Sequence, residues 1–454
     1  MLRTSALLLA LILVPSIPAV HAHDGGVLYD PAAHLGLFPT HDDVQAAITQ
    51  AASNPWVKVH DLGASETGRA VRVLEITNPD STIPRAERVV TLLMTQQHGN
   101  EPAGTGAALP LLADLLAHKK TANLLDDQVL LLLPMANPDG ATANTRENTN
   151  GVDINRDHVA LATSEARALH KVLADFDIQV AIDHHEYSGT GLGNPVPART
   201  YDFDLTLMYP NNGQVREPTA KLAKSLDYDV LWPAAQAAGY SVGDYGVTTV
   251  AGIPVPEVQG VDATARVGGP DPGILRNSFG LNNIVGLLAE TFISPEPDNP
   301  FQSADRRIAI HRLVMETTLE WAHDHAKELV AAKHESERLN REQPLPAYTE
   351  GSATGPLPAA FLVKQDVAGL FANHGLDAGV ATAEGTIYNT AVARGGLVAA
   401  ILHPQSSRHV ADASPAAAVP ATVPQTIGSN GASVGPVVLA ALAAALLLTR
   451  RRSA

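Results

Sequence analysis

The stretch that most constrains this chain is Thr91-Leu92-Leu93-Met94-Thr95-Gln96-Gln97-His98-Gly99-Asn100-Glu101, an apolar run that stops abruptly at a His and a Glu three positions apart. A continuous apolar run bounded by Gly and Pro suits a strand covered on both faces. In open α/β sheets, chemistry collects just beyond the carboxyl ends of such strands. A neutral imidazole and a carboxylate on one tight turn can reach the same cation, with Gly99 leaving room for the backbone to bend between them. The competing reading is a polar loop that happens to hold both residues, and the downstream sequence bears on it.

Any metal here must be held by His, Asp and Glu, because the chain has no cysteine and therefore no thiolate site, no disulfide framework and no cysteine nucleophile. The length of 454 residues, 45% of them hydrophobic, is enough for a full core plus a second small domain or tail. A formal charge of −16, from 31 Lys+Arg against 47 Asp+Glu, argues against nucleic acid or an anionic membrane surface as the main partner.

Both ends read as addresses. Arg3, the apolar segment 7–14 and Ala19-Val20-His21-Ala22 form a charged start, a hydrophobic centre and a small-residue cleavage site, so residues 1–22 are expected to be a signal peptide of an exported protein. At the other end, a linker over 411–433 rich in Ala, Pro, Thr and Ser precedes the apolar segment 434–448 and Arg450-Arg451-Arg452. With its flanks, residues 434–454 come near the lower limit for a membrane span, with the arginines on the cytoplasmic side. The tail resembles the tripartite sorting tails of bacterial surface proteins, and membrane or cell-wall attachment is expected through it. Val423-Pro424-Gln425-Thr426-Ile427-Gly428 loosely resembles a sortase motif but departs from its usual form.

Between these ends, Thr40 is placed to cap a helix over 41–52, and 56–62 and 71–76 read as strands joined by the turn-rich Gly63-Ala64-Ser65-Glu66-Thr67-Gly68-Arg69. Pro102 suits the first turn of a helix running to His118 despite Pro110. A buried strand over 129–133 ends in Asn137-Pro138-Asp139-Gly140, a turn by composition. Beyond it, Arg146 and Gly151-Val152-Asp153-Ile154-Asn155-Arg156 put two arginines and an asparagine on an irregular loop. Guanidinium groups clamp carboxylates and stabilise oxyanions; the alternative is a solvated loop whose arginines pair with Glu147 or Asp153.

Ser164 is a candidate cap for a helix over 165–173, and a strand over 178–182 ends in Asp183-His184-His185-Glu186-Tyr187, where one of the two histidines offers a third metal ligand. Residues 189–280, rich in Gly, Pro and Asn, are expected to form long loops walling a cleft, with a helix near 218–226. A further apolar run, 284–289, ends in Glu290; taken alone, such a Glu is usually an exposed edge carboxylate. Ser303 is placed to cap a long helix over 304–339, 343–356 reads as a linker, and 359–404 as a small α/β appendage with strands near 361–363, 385–388 and 397–402 and a helix near 367–374.

Four apolar runs thus end in chemically competent side chains, and at these residues the chain resembles the zinc metallocarboxypeptidase family. His98-Gly99-Asn100-Glu101 is similar to that family's His-x-x-Glu motif. Asn137-Pro138-Asp139-Gly140, Arg146 and Gly151-Val152-Asp153-Ile154-Asn155-Arg156 resemble its substrate-binding segment, 62–69 its opening hairpin and Glu290 its glutamate. The resemblance spans about 41–290. It implies a mixed, mostly parallel α/β sheet flanked by helices over 23–340; the small α/β domain at 357–410 rests on its own apolar runs, outside the resemblance. It also implies one Zn2+ on His98, Glu101 and His185, His185 fitting the family register better than His184. Glu290 would be general base and then proton donor, Arg146 would polarise the scissile carbonyl, and Asn155 and Arg156 would hold the free C-terminal carboxylate of a peptide substrate. The family's substrate-side tyrosine has no secure counterpart, with Tyr240 and Tyr245 in the right region and Arg276-Asn277-Ser278-Phe279-Gly280-Leu281-Asn282 a departure. Two other readings stand beside an exported carboxypeptidase: a zinc amidohydrolase acting on a cell-wall peptide or other acyl amide, and an inactive surface binding protein. Oligomeric state and side-chain preference are not readable from these residues.

Overall fold

In the computed structural model, which describes residues 38–117, 122–188, 203–245, 247–250, 253–256, 269–293 and 303–419, the apolar run around Leu92 is a central strand of an eight-stranded sheet. In chain order the strands of this part are β1 (Val57–Ala64), β2 (Ala70–Ile76), β3 (Val89–Thr95), β4 (Gln128–Leu133), β5 (Val180–Ser188), β6 (Leu205–Met208), β7 (Val242–Asp244), a separate hairpin β8 (Val247–Val250) and β9 (Ile253–Pro256), and β10 (Val285–Ile293). The sheet order is β1-β2-β4-β3-β5-β10-β6-β7. The central pairings β4–β3, β3–β5 and β5–β10 are parallel, as is β6–β7, while β1–β2, β2–β4 and β10–β6 are antiparallel.

Alternation along these strands divides the core in two. Leu93, Leu130, Leu132 and Ile182 face α1 (His41–Ala51), α2 (Ala103–Leu116) and α8 (Ala304–Asp324). Leu92, Met94, Leu131 and Ala181 face α4 (Ser164–Asp175) and α7 (Leu275–Leu281). Every residue of β3 and β4 is buried. At roughly 1.5–3 kcal/mol per buried aliphatic side chain, burial on both faces fixes the position of the strand ends. The remaining helices are α3 (Pro138–Ala143), α5 (Glu217–Ser225), α6 (Trp232–Ala237) and α9 (Ala326–Glu342), with a π-helical turn, Leu226–Leu231, joining α5 to α6.

Several elements differ from the sequence expectation for identifiable reasons. Asn137-Pro138-Asp139-Gly140 opens a short helix: Asn137 accepts the Gly140 N–H and Pro138 takes the first turn, the same residues that make turns. Thr163, not Ser164, caps α4, accepting the Ala166 N–H. The helix expected over 304–339 breaks at His325 into α8 and α9. The linker expected over 343–356 is a hairpin of β11 (Ala347–Glu350) and β12 (Ala353–Pro356).

The appendage is a four-stranded antiparallel sheet of β13 (Ala360–Val363), β14 (Val380–Ala381), β15 (Thr386–Asn389) and β16 (Ala413–Ala416), in the order β14-β15-β13-β16, with α10 (Ala368–Asn373) and α11 (Gly395–Leu402). Two expectations fail here. The run 397–402 is helical, every residue buried, because a short apolar run covered on all sides carries no period to separate helix from strand. Residues 413–416, expected as the start of the linker, pair with β13.

Among the described residues no helix is long and apolar enough to cross a membrane. The signal peptide expected at 1–22 and the anchor or sorting tail expected at 434–454 lie outside the described residues, as does the segment 423–428.

Candidate metal centre

The parallel pairings bring the carboxyl ends of β3, β5 and β10 side by side. Thr95 lies opposite His184, and His185 opposite Glu290. The chain leaves β3 through Gln96, a left-handed residue with φ 55° whose side-chain N–H donates to the Gly99 carbonyl at 2.9 Å. Gly99 is required for close approach: a Cβ there would lie 1.9 Å from the Gly140 carbonyl carbon of α3. The expected turn between the ligands is also present, the Glu101 N–H donating to the His98 carbonyl at 3.2 Å.

His98, Glu101 and His185 are buried, and one ligand atom from each lies within 4.8 Å of the others. His98 Nδ1 and His185 Nδ1 are 2.9 Å apart, and Glu101 places Oε1 2.8 Å from the first and Oε2 2.8 Å from the second. On the far side of each ring Nε2 faces a carboxylate, Asp153 Oδ1 at 3.2 Å for His98 and Asp183 Oδ2 at 2.7 Å for His185. A carboxylate accepts the Nε2–H, which turns both Nδ1 lone pairs toward the same point as Glu101. Three lone pairs meeting at one point repel one another unless positive charge lies among them. The field there agrees: burial pushes Glu101 up, but His98 and His185 hold it well below the usual carboxylate range. Burial likewise depresses His185, yet Asp183 and Glu101 raise it well above the ordinary imidazole value. Two imidazoles and a carboxylate with carboxylates behind them fit Zn2+, with no thiolate needed.

His184 points to the other face, as alternation along β5 requires, with Nδ1 3.0 Å from His311 Nδ1 of α8. Burial drives its pKa well below the ordinary value. The expected strand end at Ile182 was too early: β5 continues to Ser188, so both histidines are strand residues.

Around this centre Arg146 Nη1 donates to His98 Nδ1 at 3.0 Å, while its Nε and Nη2 pair with Asp153 Oδ2 at 3.2 and 3.0 Å. Glu290 is only 6% exposed, not the edge carboxylate of the simplest reading. Burial raises its carboxyl to about 7, with His185 opposing and Glu101 adding to the shift. Arg156 Nη1 donates to the Asn155 carbonyl at 2.7 Å. Asn155 is buried, its Oδ1 accepting the Leu275 N–H at 2.8 Å; its Nδ2 lies 3.4 Å from His185 Nε2, which has given its proton to Asp183, so the Asn155 amide N–H groups are not spent on that ring.

Of the two tyrosines, Tyr240 stacks under Arg306 at 4.7 Å, whereas Tyr245 packs on Tyr187 and Phe292 within electrostatic reach of Glu290. Burial, then Glu290, pushes the Tyr245 phenol well above 10.

Sequence reasoning did not single out Asp183, Gln97 or His158, and it read Asp153 only as an arginine partner. Gln97 Nε2 donates to Asp183 Oδ2 at 2.9 Å, and His158 Nε2 lies 2.5 Å from Gln97 Oε1. The signal for Asp183 was present: two positions before His185 on a strand is the same face. Nothing local points to Gln97 or His158.

Residues 45–189 match the sequence profile of the zinc carboxypeptidase family. Over this segment the chain is similar to the zinc carboxypeptidase family. The matched segment contains His98, Glu101 and His185, while Glu290 lies beyond it. Carboxypeptidase 2 of Trichophyton rubrum is 31% identical over 259 residues, 56% of this chain and 47% of that protein. Carboxypeptidase SOL1 of Arabidopsis thaliana is 29% identical over 126 residues, 26% of this chain and 25% of that one. The chain thus spans about half the length, or less, of the curated relatives it matches. Among solved structures, the carboxypeptidase A of Helicoverpa armigera aligns with a TM-score of 0.47 at 17% identity, over 65% of this chain and 75% of that one. A metallo-carboxypeptidase from Burkholderia cenocepacia aligns with a TM-score of 0.46 at 15% identity, over 63% and 69%.

Proposed function

We propose that this chain is an exported zinc carboxypeptidase that removes the C-terminal residue from peptides. The observation that carries the reading is the convergence of His98, Glu101 and His185 on one point, with Glu290 and Arg146 beside it. Zinc held by these three residues would supply Lewis acidity toward a water molecule and the scissile carbonyl.

The protein's own groups divide the remaining work. Glu290, with a carboxyl raised to about 7, is poised near neutrality to take a proton from the attacking water and pass it to the leaving amine. Arg146, already donating to the donor cluster, is the group that meets negative charge developing on the carbonyl oxygen. Arg156 receives the substrate's free carboxylate. Asn155, its side-chain carbonyl engaged by Leu275, has its Nδ2–H groups to offer the same carboxylate. Tyr245 stays protonated at any physiological pH and donates a hydrogen bond to the bound peptide.

Matched short peptides with free and amidated C-termini test the reading. The free peptides are hydrolysed, with activity lost to a chelator and restored by zinc, and the amides are not. Equal hydrolysis of both would replace carboxypeptidase by the amidohydrolase alternative, and hydrolysis of neither would leave a binding protein. Export rests on the charged, apolar and small-residue pattern of 1–22, and surface attachment on the 411–454 tail. Fractionation of the native host, with the protein found only in the cytosol, would remove both.

A further inference from the structure

The appendage at 357–410 has no part in the chemistry above, yet its last loop reaches the arginine turn. Arg408 grips Asp271 with one edge of its guanidinium, Nε donating to Oδ1 at 2.9 Å and Oδ2 at 3.1 Å, and Nη2 to Oδ2 at 2.5 Å. The Asp271 carboxylate in turn accepts the Gly273 N–H at 2.8 Å, folding the strap 271–275 into a tight turn.

That strap lies directly on the arginine turn. The Gly273 carbonyl accepts the His158 N–H at 3.3 Å, and the Leu275 N–H donates to Asn155 Oδ1 at 2.8 Å. At Gly273 the approach is so close that a Cβ would sit 2.8 Å from the Arg156 carbonyl oxygen and 2.9 Å from Arg408 Nε. Asn155, Arg156 and His158 are therefore backed by the strap, and Arg408 backs the strap. Arg408 is not adrift itself: the neighbouring Ser407 N–H and hydroxyl donate to Glu350, which also accepts the Tyr348 hydroxyl at 2.7 Å.

We propose that Arg408 is a positioning residue for substrate binding: its pairing with Asp271 holds the strap 271–275 against the Asn155–Arg156 turn and so sets where the Arg156 guanidinium meets the substrate carboxylate. The proposal rests on the reading in which Arg156 receives that carboxylate. A partly exposed ion pair contributes little to global stability. A bidentate one defines geometry well, and small misplacements of a binding group are costly to recognition. The effect therefore belongs in substrate binding, not in unfolding.

The test uses the full chain with metal bound, comparing wild type, R408A, R408K and D271N. Steady-state hydrolysis of a short peptide with a free C-terminus is measured alongside backbone hydrogen exchange at 155–158 without substrate. KM rises about five- to tenfold in R408A and D271N, with kcat within about twofold and Tm nearly unchanged, and R408K falls between. Exchange at 155–158 rises several-fold in the same two variants. A KM rise in R408A but not in D271N makes Arg408 a direct substrate contact and overturns the proposal. So does unchanged exchange in both, or a fall in kcat at constant KM. Should wild type fail to distinguish free from amidated C-termini, the carboxypeptidase reading is lost, while the exchange measurement still decides whether the clamp exists.

Discussion

Asp183 has no contact with the point where His98, Glu101 and His185 meet, yet it determines which nitrogen His185 presents there. Its Oδ2 lies 2.7 Å from His185 Nε2 and 2.9 Å from Gln97 Nε2, in a site with no solvent exposure. Asp183→Asn keeps the shape and removes the charge. The expected outcome is a loss of about ten- to a hundredfold in zinc affinity, the usual range for a carboxylate behind a metal-bound histidine. Competition with a chromophoric chelator measures it without recourse to turnover, and an unchanged dissociation constant would refute the orienting role. In a second variant, Glu290→Gln, zinc affinity stays within about threefold of wild type while turnover falls by at least about a hundredfold. Retained activity there would remove Glu290 as the proton-transfer group. At this scale the sequence was most legible where a motif is local: His98 and Glu101 are three residues apart, and their strand announces itself. What orients the Asn155 amide was not legible, because its side-chain carbonyl is held by the Leu275 N–H, 120 positions away.

Elements were legible in proportion to how much of their burial follows one period. The helix capped by Thr40 and the strands of the central sheet emerged from pattern alone, since one face or both are covered evenly. The helix α11 did not, for every residue of Gly395–Leu402 is buried. The contact of α10 and α4 with the arginine turn was equally invisible, being made of histidines scattered through the chain. His158 Nδ1 lies 3.3 Å from His170 Nε2, the His170 ring meets His374 edge-on at 4.7 Å, and His374 Nε2 donates to the Val159 carbonyl at 2.9 Å. Burial lowers all three, His158 to about 3, His374 to about 4 and His170 well below the ordinary value. In the unfolded chain each titrates near the ordinary imidazole value of about 6.5. Below that pH the unfolded state binds protons that the folded state refuses, so stability is full above about 6.5 and falls as the pH drops toward about 4. His374→Gln removes one such proton. The slope of unfolding free energy against pH between about 4.5 and 6 should then drop by about 1.4 kcal/mol per pH unit, read from denaturant titrations in that window. An identical slope in the variant would show that His374 titrates normally.

On the scale of the whole molecule, the appendage and the sheet domain share buried surface. Val159 and Leu281, both from the sheet domain, belong to the same hydrophobic cluster as Phe361, Phe371, Tyr388, Leu397 and Ile401 of the appendage. Polar contacts follow the same seam: Asn283 and Asn340 each donate to the Ala393 carbonyl at 2.9 Å, and Arg394 donates to Asn282 at 3.1 Å. The sequence reading of a small domain joined by a linker had no means of seeing this, since neither Val159 nor Leu281 stands out among the apolar residues of its own segment. A chain ending at residue 356 would expose both side chains and take the Ala393 carbonyl away from Asn283 and Asn340. The uncovered cluster alone corresponds to several kcal/mol, at about 1.5–3 kcal/mol per buried apolar side chain, a large part of the roughly 5–15 kcal/mol that holds a typical domain folded. Such a truncation is expected to aggregate or to bind a hydrophobic dye strongly, and its melting temperature to fall by ten degrees or more, on the order of several kcal/mol over a domain of this size. Differential scanning fluorimetry of the purified fragment beside the full chain decides it: a fragment that melts where the parent does would mean the seam contributes nothing to holding the sheet domain together.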